Sequence, residues 1–323
     1  MKVWLATGLV LLVAVAALVA LLVDPAAWQS EGTAHHGHPS TALARRQGAH
    51  HPQRRSLRRA RRSPYELPKA PAHLPVDVEF ARKPRAGVLF DDDTGRILWQ
   101  HDARRRLPIA SLTKMISALI IARRDRPDER VLITPQALAY QGSGVGVLPK
   151  GKKVPLRDLF YGLLLVSGND AAIALAQHDS GSVPAFVRRM NGWRRRLGLH
   201  CSHFSSPSGI LDRDNYSCPR DLAALTRADL RNPWIRRVVS TRQVRFKFPV
   251  KGGYLDLYNN NPFILEEMRG ITGLKTGYTI AAGRCYVVTQ KVDGHELGVV
   301  LLHTPNPLDQ VPALLHAGAK VVR

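Results

Sequence analysis

Three short motifs, Ser111-Leu112-Thr113-Lys114, Ser167-Gly168-Asn169 and Lys275-Thr276-Gly277, stand in this order with about 55 and then about 105 residues between them. Each alone is a common coincidence. Together they constrain the fold, because such distant segments must meet if a serine, two lysines and an asparagine are to act on one substrate. No histidine belongs to the set, so the serine has to be activated by a lysine.

The first motif is followed by an apolar, helix-compatible run from Met115 to Ala122 and preceded by Pro108-Ile109-Ala110, which predicts a helix opening there. A serine and a lysine three apart share a helix face. Ser111 then sits where backbone N–H groups are unpaired and the helix dipole is positive, which favours an alkoxide. Lys114 can accept the hydroxyl proton only if its pKa falls well below ~10, through burial or a second cation such as Lys275. The plainer reading is a surface helix with a polar face, and the other two motifs argue against it.

The second motif lies between the apolar runs Leu159–Val166 and Ala171–Ala176, hence in a loop between buried helices. Ser167 offers a hydroxyl for proton relay, and Asn169 offers an amide that can hold a peptide group. Asn169 would equally cap the following helix. The third motif precedes two expected strands, 284–292 and 296–303, joined at Asp293-Gly294. Lys275 and Thr276 on a strand beside the serine would present a cation and a hydroxyl to a carboxylate, and Gly277 would let a ligand backbone approach. An ordinary edge strand with a tight turn is the alternative.

From about Ala86 to Ala319 the chain resembles the serine D-alanyl-D-alanine carboxypeptidases, the low-molecular-weight penicillin-binding proteins. The likeness covers the three motifs together with Asp93-Thr94-Gly95, Pro108-Ile109-Ala110, Asp170-Ala171-Ala172, Phe186, Met190-Asn191, Leu197-Gly198, Asn259-Asn260-Asn261, Gly273-Leu274, Tyr278-Thr279 and Ala282-Gly283. It implies that Ser111 attacks the penultimate D-alanine carbonyl of a peptidoglycan stem peptide, with Lys114 as base. Ser167 and Asn169 would relay protons and position the peptide. Lys275, Thr276 and Thr279 would hold the terminal carboxylate, with Gly277 beside them. Backbone N–H groups of Ser111 and Tyr278 would form the oxyanion hole. Penicillins would acylate the same serine, and the reaction needs no cofactor and no metal.

The chain departs from that pattern in three places. The family commonly carries an arginine after the last core strand, whereas this segment reads His303-Thr304-Pro305-Asn306-Pro307-Leu308-Asp309. Carboxylate binding would then rest on Lys275 and the threonines, or on Arg284. Cys201 and Cys218 occupy positions not usually cysteine. In an exported domain the pair is either a disulfide, worth roughly 3 kcal/mol for a loop of that size, or two thiols. Cys218 also takes the place of the usual capping side chain before Pro219 and Asp221, which still suit a helix start. Cys285 is expected to remain a thiol. Many relatives also carry a second β-rich domain and a C-terminal amphipathic helix, and neither follows Arg323, so membrane attachment would come from the other end.

Val3–Val23 is an apolar stretch of 21 residues, enough to span a bilayer core of ~30 Å. Residues 1–27 therefore read as a signal anchor, with a signal peptide cleaved near Ala26-Ala27 as the rival. Only Lys2 precedes the stretch. Arg45 lies just beyond the ~15–20 residues over which flanking charge orients a span, so an extracytoplasmic domain stays compatible. Residues 28–85 show no apolar periodicity, hold five histidines between His35 and His51 and eight arginines from Arg45 to Arg62, and read as a disordered linker. The irregular histidine spacing argues against a metal site. The arginine tract suits an anionic membrane or wall polymer.

The formal net charge is +22, of which residues 1–85 carry +8 and the remainder +14. No nucleic-acid motif accompanies that charge, so an anionic envelope explains it better than nucleic acid. The expected fold is α+β, an antiparallel sheet with a helical cluster, in a single catalytic domain over residues 86–323. The resemblance implies the β-lactamase/transpeptidase-like fold. Early strands 87–90 and 96–100 would join one sheet with strands from about 238–250 and after 271, around a helical middle at about 108–235. A β-lactamase, a D,D-endopeptidase and a non-enzymatic wall-binding or penicillin-sensing module are the alternatives. The first would need a glutamate to activate a deacylating water, and none can be placed.

Overall fold

The computed structural model describes residues 63–211 and 213–322. The expected signal segment 1–27 and the arginine tract Arg45–Arg62 lie outside the described residues.

The chain enters a hairpin of β1 (Ala86–Asp91) and β2 (Ile97–His101), then β3 (Leu107–Pro108), a 3-10 turn (Ala110–Thr113) and α1 (Lys114–Arg124). A small hairpin of β4 (Arg130–Leu132) and β5 (Lys153–Pro155) brackets α2 (Pro135–Leu138). Then come α3 (Leu156–Leu164), α4 (Asn169–Ser180), α5 (Val183–Arg196), β6 (Tyr216–Ser217), α6 (Pro219–Leu230) and α7 (Pro233–Val239). The hairpin β7 (Gln243–Lys247) and β8 (Tyr254–Tyr258), the short α8 (Pro262–Leu265), β9 (Ile271–Thr279), β10 (Gly283–Val292), β11 (His295–Leu302) and α9 (Pro307–Val321) complete it.

The main sheet runs β2-β1-β11-β10-β9, antiparallel throughout, with Ala86 opposite Leu302 and Gly283 opposite Thr279. In β1 and β11 both faces are covered, so these strands are nearly continuous apolar runs split by a period of two. Val88, Phe90, Val287, Val300 and Leu302 face the helical cluster, whereas Leu89, Val288, Leu297, Val299 and Leu301 pack with Leu314 and Leu315 of α9. Helix α1 is buried at every position from Lys114 to Ile121, and α6 over its whole length, so these two helices form the inner layer.

Two expectations change. The stretch 238–250 does not add a strand to the main sheet. Val238 and Val239 close α7, and β7 pairs only with β8. That hairpin buries Leu255 and Leu257 on one face and exposes Tyr254, Asp256 and Tyr258 on the other, the alternation of a sheet with one solvated side. Residues 63–85, expected to belong to the disordered linker, are instead packed as an irregular strap. Leu67 and Val76 are buried in the two cores. Arg220 donates to the carbonyls of Leu67 and Pro68 at 2.8 and 2.7 Å, Arg227 to Tyr65 O at 3.0 Å, and Trp99 Nε1 to Val78 O at 3.2 Å. Side chains elsewhere in the fold hold its backbone, so the strap needs no periodic apolar pattern of its own.

Cys201 and Cys218 form a disulfide with Cα atoms 5.6 Å apart, within ordinary reach. Cys218 is the N-cap of α6 without a capping side-chain bond. Asp221, in the first turn, accepts from Cys201 N–H at 2.6 Å and Ser202 Oγ at 2.7 Å. Burial raises the Asp221 pKa, against which these donors act. The Cys285 thiol is buried and donates to Ala282 O at 3.5 Å.

Candidate active site

The 3-10 turn before α1 sets Ser111 one turn ahead of Lys114, which is the first residue of the α-helix proper. Lys114 is fully buried. Its Nζ donates to Ser111 Oγ at 2.9 Å, Asn169 Oδ1 at 2.7 Å and Ser208 O at 2.9 Å. Burial first, then the nearby charge of Lys275, pushes the Lys114 pKa well below that of an ordinary lysine, while Asp170 opposes them. The amine is thereby placed against the hydroxyl with its proton-bearing form disfavoured, as a base for that hydroxyl must be.

Ser167 and Asn169 reach the same place from the loop before α4. Gly168 is the N-cap, so Asn169 does not cap the helix. Its side chain instead joins Lys114 to Gln141 O, the latter contact at 2.5 Å. Ser167 has φ +60°, an uncommon conformation for a serine that costs of order 1–3 kcal/mol. Its hydroxyl is buried and has no hydrogen-bond partner among the described residues. Asp170 accepts from Val145 N and Gly146 N at 2.9 Å each, and Ser143 Oγ donates to Ser167 O at 3.1 Å. These bonds fasten the 141–146 loop to the motif. Sequence reasoning missed this loop and the Ser208 carbonyl, because apart from the Ser143 hydroxyl their contribution is backbone. The one signal was glycine at 142, 144 and 146, and at 209. A Cβ on Gly209 would lie 2.0 Å from Ala110 O, so only glycine lets the two backbones pass this closely.

β9 forms the other wall. Lys275 is buried, donates to Thr276 O at 2.9 Å, and has its pKa lowered by burial to about 7. Thr276 Oγ1 donates to Asn260 Oδ1 at 3.1 Å. A Cβ on Gly277 would stand 3.0 Å from both Ser111 N and Ile109 O, so the strand crosses the serine at backbone distance. Tyr278 is exposed. The Thr279 hydroxyl accepts from Ala282 N–H at 3.0 Å and helps close the β9–β10 turn. A cleft of about 910 Å³ runs over these residues, lined by Ser111, Ser167, Asn169, Asn260 and Thr276–Thr279, and at one end by Arg284 and His303. Three distant chain segments thus converge on one cleft.

A family model described as D-alanyl-D-alanine carboxypeptidase, peptidase S11, matches residues 77–306. The chain belongs to this family. Among curated relatives, the D-alanyl-D-alanine carboxypeptidase of Streptomyces sp. strain K15 is 34% identical over 237 residues, covering 68% of this chain and 81% of the relative. A D-alanyl-D-alanine endopeptidase of Pseudomonas aeruginosa is 30% identical over 238 residues, covering 73% and 75%. The crystal structure of a D-alanyl-D-alanine carboxypeptidase from Mycobacterium tuberculosis superposes with a TM-score of 0.71 at 27% identity, covering 78% of this chain and 96% of that one. The α+β architecture with its antiparallel sheet is therefore the fold of the S11 penicillin-binding enzymes. Against some further curated relatives this chain spans only 55–60% of their length.

Proposed function

We propose that the protein is a serine D-alanyl-D-alanine carboxypeptidase that removes the terminal D-alanine from peptidoglycan stem peptides. The observation that best supports this is the 2.9 Å contact of Lys114 Nζ with Ser111 Oγ, at a lysine whose charge burial and Lys275 disfavour. Neutral Lys114 takes the hydroxyl proton as Oγ attacks the penultimate D-alanine carbonyl carbon. Backbone N–H groups of Ser111 and Tyr278 stabilise the oxyanion, a kind of donor worth ~2.7–4 kcal/mol each. Ser167 hands the proton to the departing D-alanine amine, and Asn169 holds both the lysine and the peptide. Lys275 and Thr276 bind the terminal carboxylate. Water then attacks the acyl-enzyme, releasing the shortened peptide and restoring the serine. Penicillins acylate Ser111 by the same attack.

No Asp or Glu among the described residues lines the cleft, which leaves no carboxylate there to activate a deacylating water in the manner of a β-lactamase. An endopeptidase acting on cross-links would use the same atoms. The similarity to the Pseudomonas aeruginosa endopeptidase favours that as the second reading. The substrate places the domain on the extracytoplasmic side of the envelope, with residues 1–27 as anchor or signal and the Arg45–Arg62 tract on anionic membrane or wall polymer.

The test is intact-mass spectrometry of the full chain with benzylpenicillin, beside D-alanine release from a peptide ending in D-alanyl-D-alanine. A persistent one-drug adduct and D-alanine release, both absent in Ser111→Ala, are expected. Rapid drug hydrolysis without an adduct would point to a β-lactamase. Intact drug with no adduct and no D-alanine would leave only a binding module.

A further inference from the structure

The cleft has two arms, one on each side of Ser111. Thr276, Asn260 and Ser167 line the first, with Lys275 buried beside Thr276. Along the second, β9 runs on through Tyr278 and Thr279 to its turn, where the walls are Arg284, His303 and three residues of the strap, Arg82, Lys83 and Arg85. The strap backbone is held in place: Arg85 N–H donates to His303 O at 3.3 Å, and Gln310 Nε2 donates to Arg82 O at 2.6 Å. The side chains of Arg82, Arg85 and Arg284 are exposed, and none has a carboxylate partner among the described residues. Lys83 faces Glu79 at 3.6 Å. Arg284 Nη1 donates to Pro305 O at 3.4 Å, which uses one of its five N–H groups.

We propose that Arg82, Arg85 and Arg284 form a second anion subsite, for a carboxylate carried by the peptide on the N-terminal side of its D-alanine pair. The inference rests on the carboxypeptidase reading. β9 is the edge strand of the sheet, so an extended peptide can lie along it by strand addition. With the terminal carboxylate on Lys275 and Thr276, and the scissile carbonyl at Ser111 beside Gly277, the rest of the peptide has to leave along Tyr278 and Thr279. At roughly 3.3 Å per residue, the first two residues before the scissile bond reach the turn and its guanidinium groups. A planar guanidinium fork matches a carboxylate. The strap thereby adds to substrate selection in a region where the family motifs are silent.

Two peptides ending in D-alanyl-D-alanine test this, identical except for a side-chain carboxylate or carboxamide on the preceding residue. The full chain is expected to favour the acid in kcat/KM by about two- to fivefold, as for solvent-facing ion pairs. That preference should shrink as salt rises. In Arg82→Gln/Arg85→Gln, and in Arg284→Gln, the ratio should fall toward one. Equal rates on both peptides in the unsubstituted protein would overturn the subsite. So would variants that slow both peptides equally, which would put these arginines on the terminal carboxylate. If neither peptide is cleaved by the unsubstituted protein, the carboxypeptidase reading itself fails, and this inference with it.

Discussion

Lys114 and Lys275, which come from a helix and a strand far apart in the chain, are buried in the same site, and the charge of the second disfavours charge on the first. Each lysine has a different task under the proposed mechanism. One must be neutral to take a proton, the other charged to hold a carboxylate.

This division predicts a bell-shaped pH profile for kcat/KM. Activity rises with pH as Lys114 loses its proton, and declines above about 7 as Lys275 loses its own. In Lys275→Gln the repulsion is gone, so the Lys114 pKa rises and the acidic limb moves to higher pH. Loss of the carboxylate contact should also lower kcat/KM by roughly 10- to 100-fold, the worth of a charged hydrogen bond. An acidic limb that stays in place would mean that Lys275 does not tune Lys114.

The Cys201–Cys218 disulfide closes a loop that contains Ser208, whose carbonyl accepts from Lys114. Replacing both cysteines by serine should cost about 3 kcal/mol of stability in the chain-entropy model. Thermal unfolding with and without reductant reads this directly, and an unaltered Tm in the reduced protein would contradict it. Acylation by penicillin should slow with the loss of loop constraint while the acylated residue stays Ser111.

Asp229 is fully buried in α6, and neither carboxylate oxygen has a hydrogen-bond partner among the described residues. Burial holds its pKa well above the usual carboxylate value, with Arg123 opposing. A raised pKa means that the folded chain keeps this proton more tightly than the unfolded chain. Its contribution is therefore fully present below the unfolded value of ~3.9 and is lost as pH rises through the folded one. Asp229→Asn should raise the Tm at pH 8, by about 1–2 kcal/mol of stability, with little change at pH 4. A gain that is the same at both pH values would exclude the linkage.

The strap bears on where the catalytic unit begins. A chain starting at residue 63 keeps Leu67 and Val76 in the cores, whereas one starting at residue 86 exposes the surfaces they cover. Burial of such side chains is worth about 1.5–3 kcal/mol each at most. The longer form should melt clearly higher, and matching Tm values would mean that the strap adds no stability.

Much of the site was legible because its chemistry lies in side chains at fixed local spacing. Ser111 and Lys114 meet because they are three apart at a helix start. Lys275, Thr276 and Gly277 follow one another on a strand. The sheet was legible where strands are buried on both faces, as in β1 and β11. The stretch 238–250 reads as a strand of the main sheet, yet only Gln243–Lys247 is a strand and it pairs with β8, because pattern alone does not say which sheet a strand joins.

The sequence by itself determined the reacting groups, the order of the elements and the apolar faces that fold them together, since these follow from side-chain type and local period. Only the tertiary structure decided the rest. It buried Lys114 and brought Lys275 near it, and a pKa depends on solvent and neighbours rather than on residue type. It turned Asn169 from a cap into a partner of the lysine. It also laid residues 63–85 along the domain, where arginines of α6 hold backbone carbonyls that carry no sequence signature.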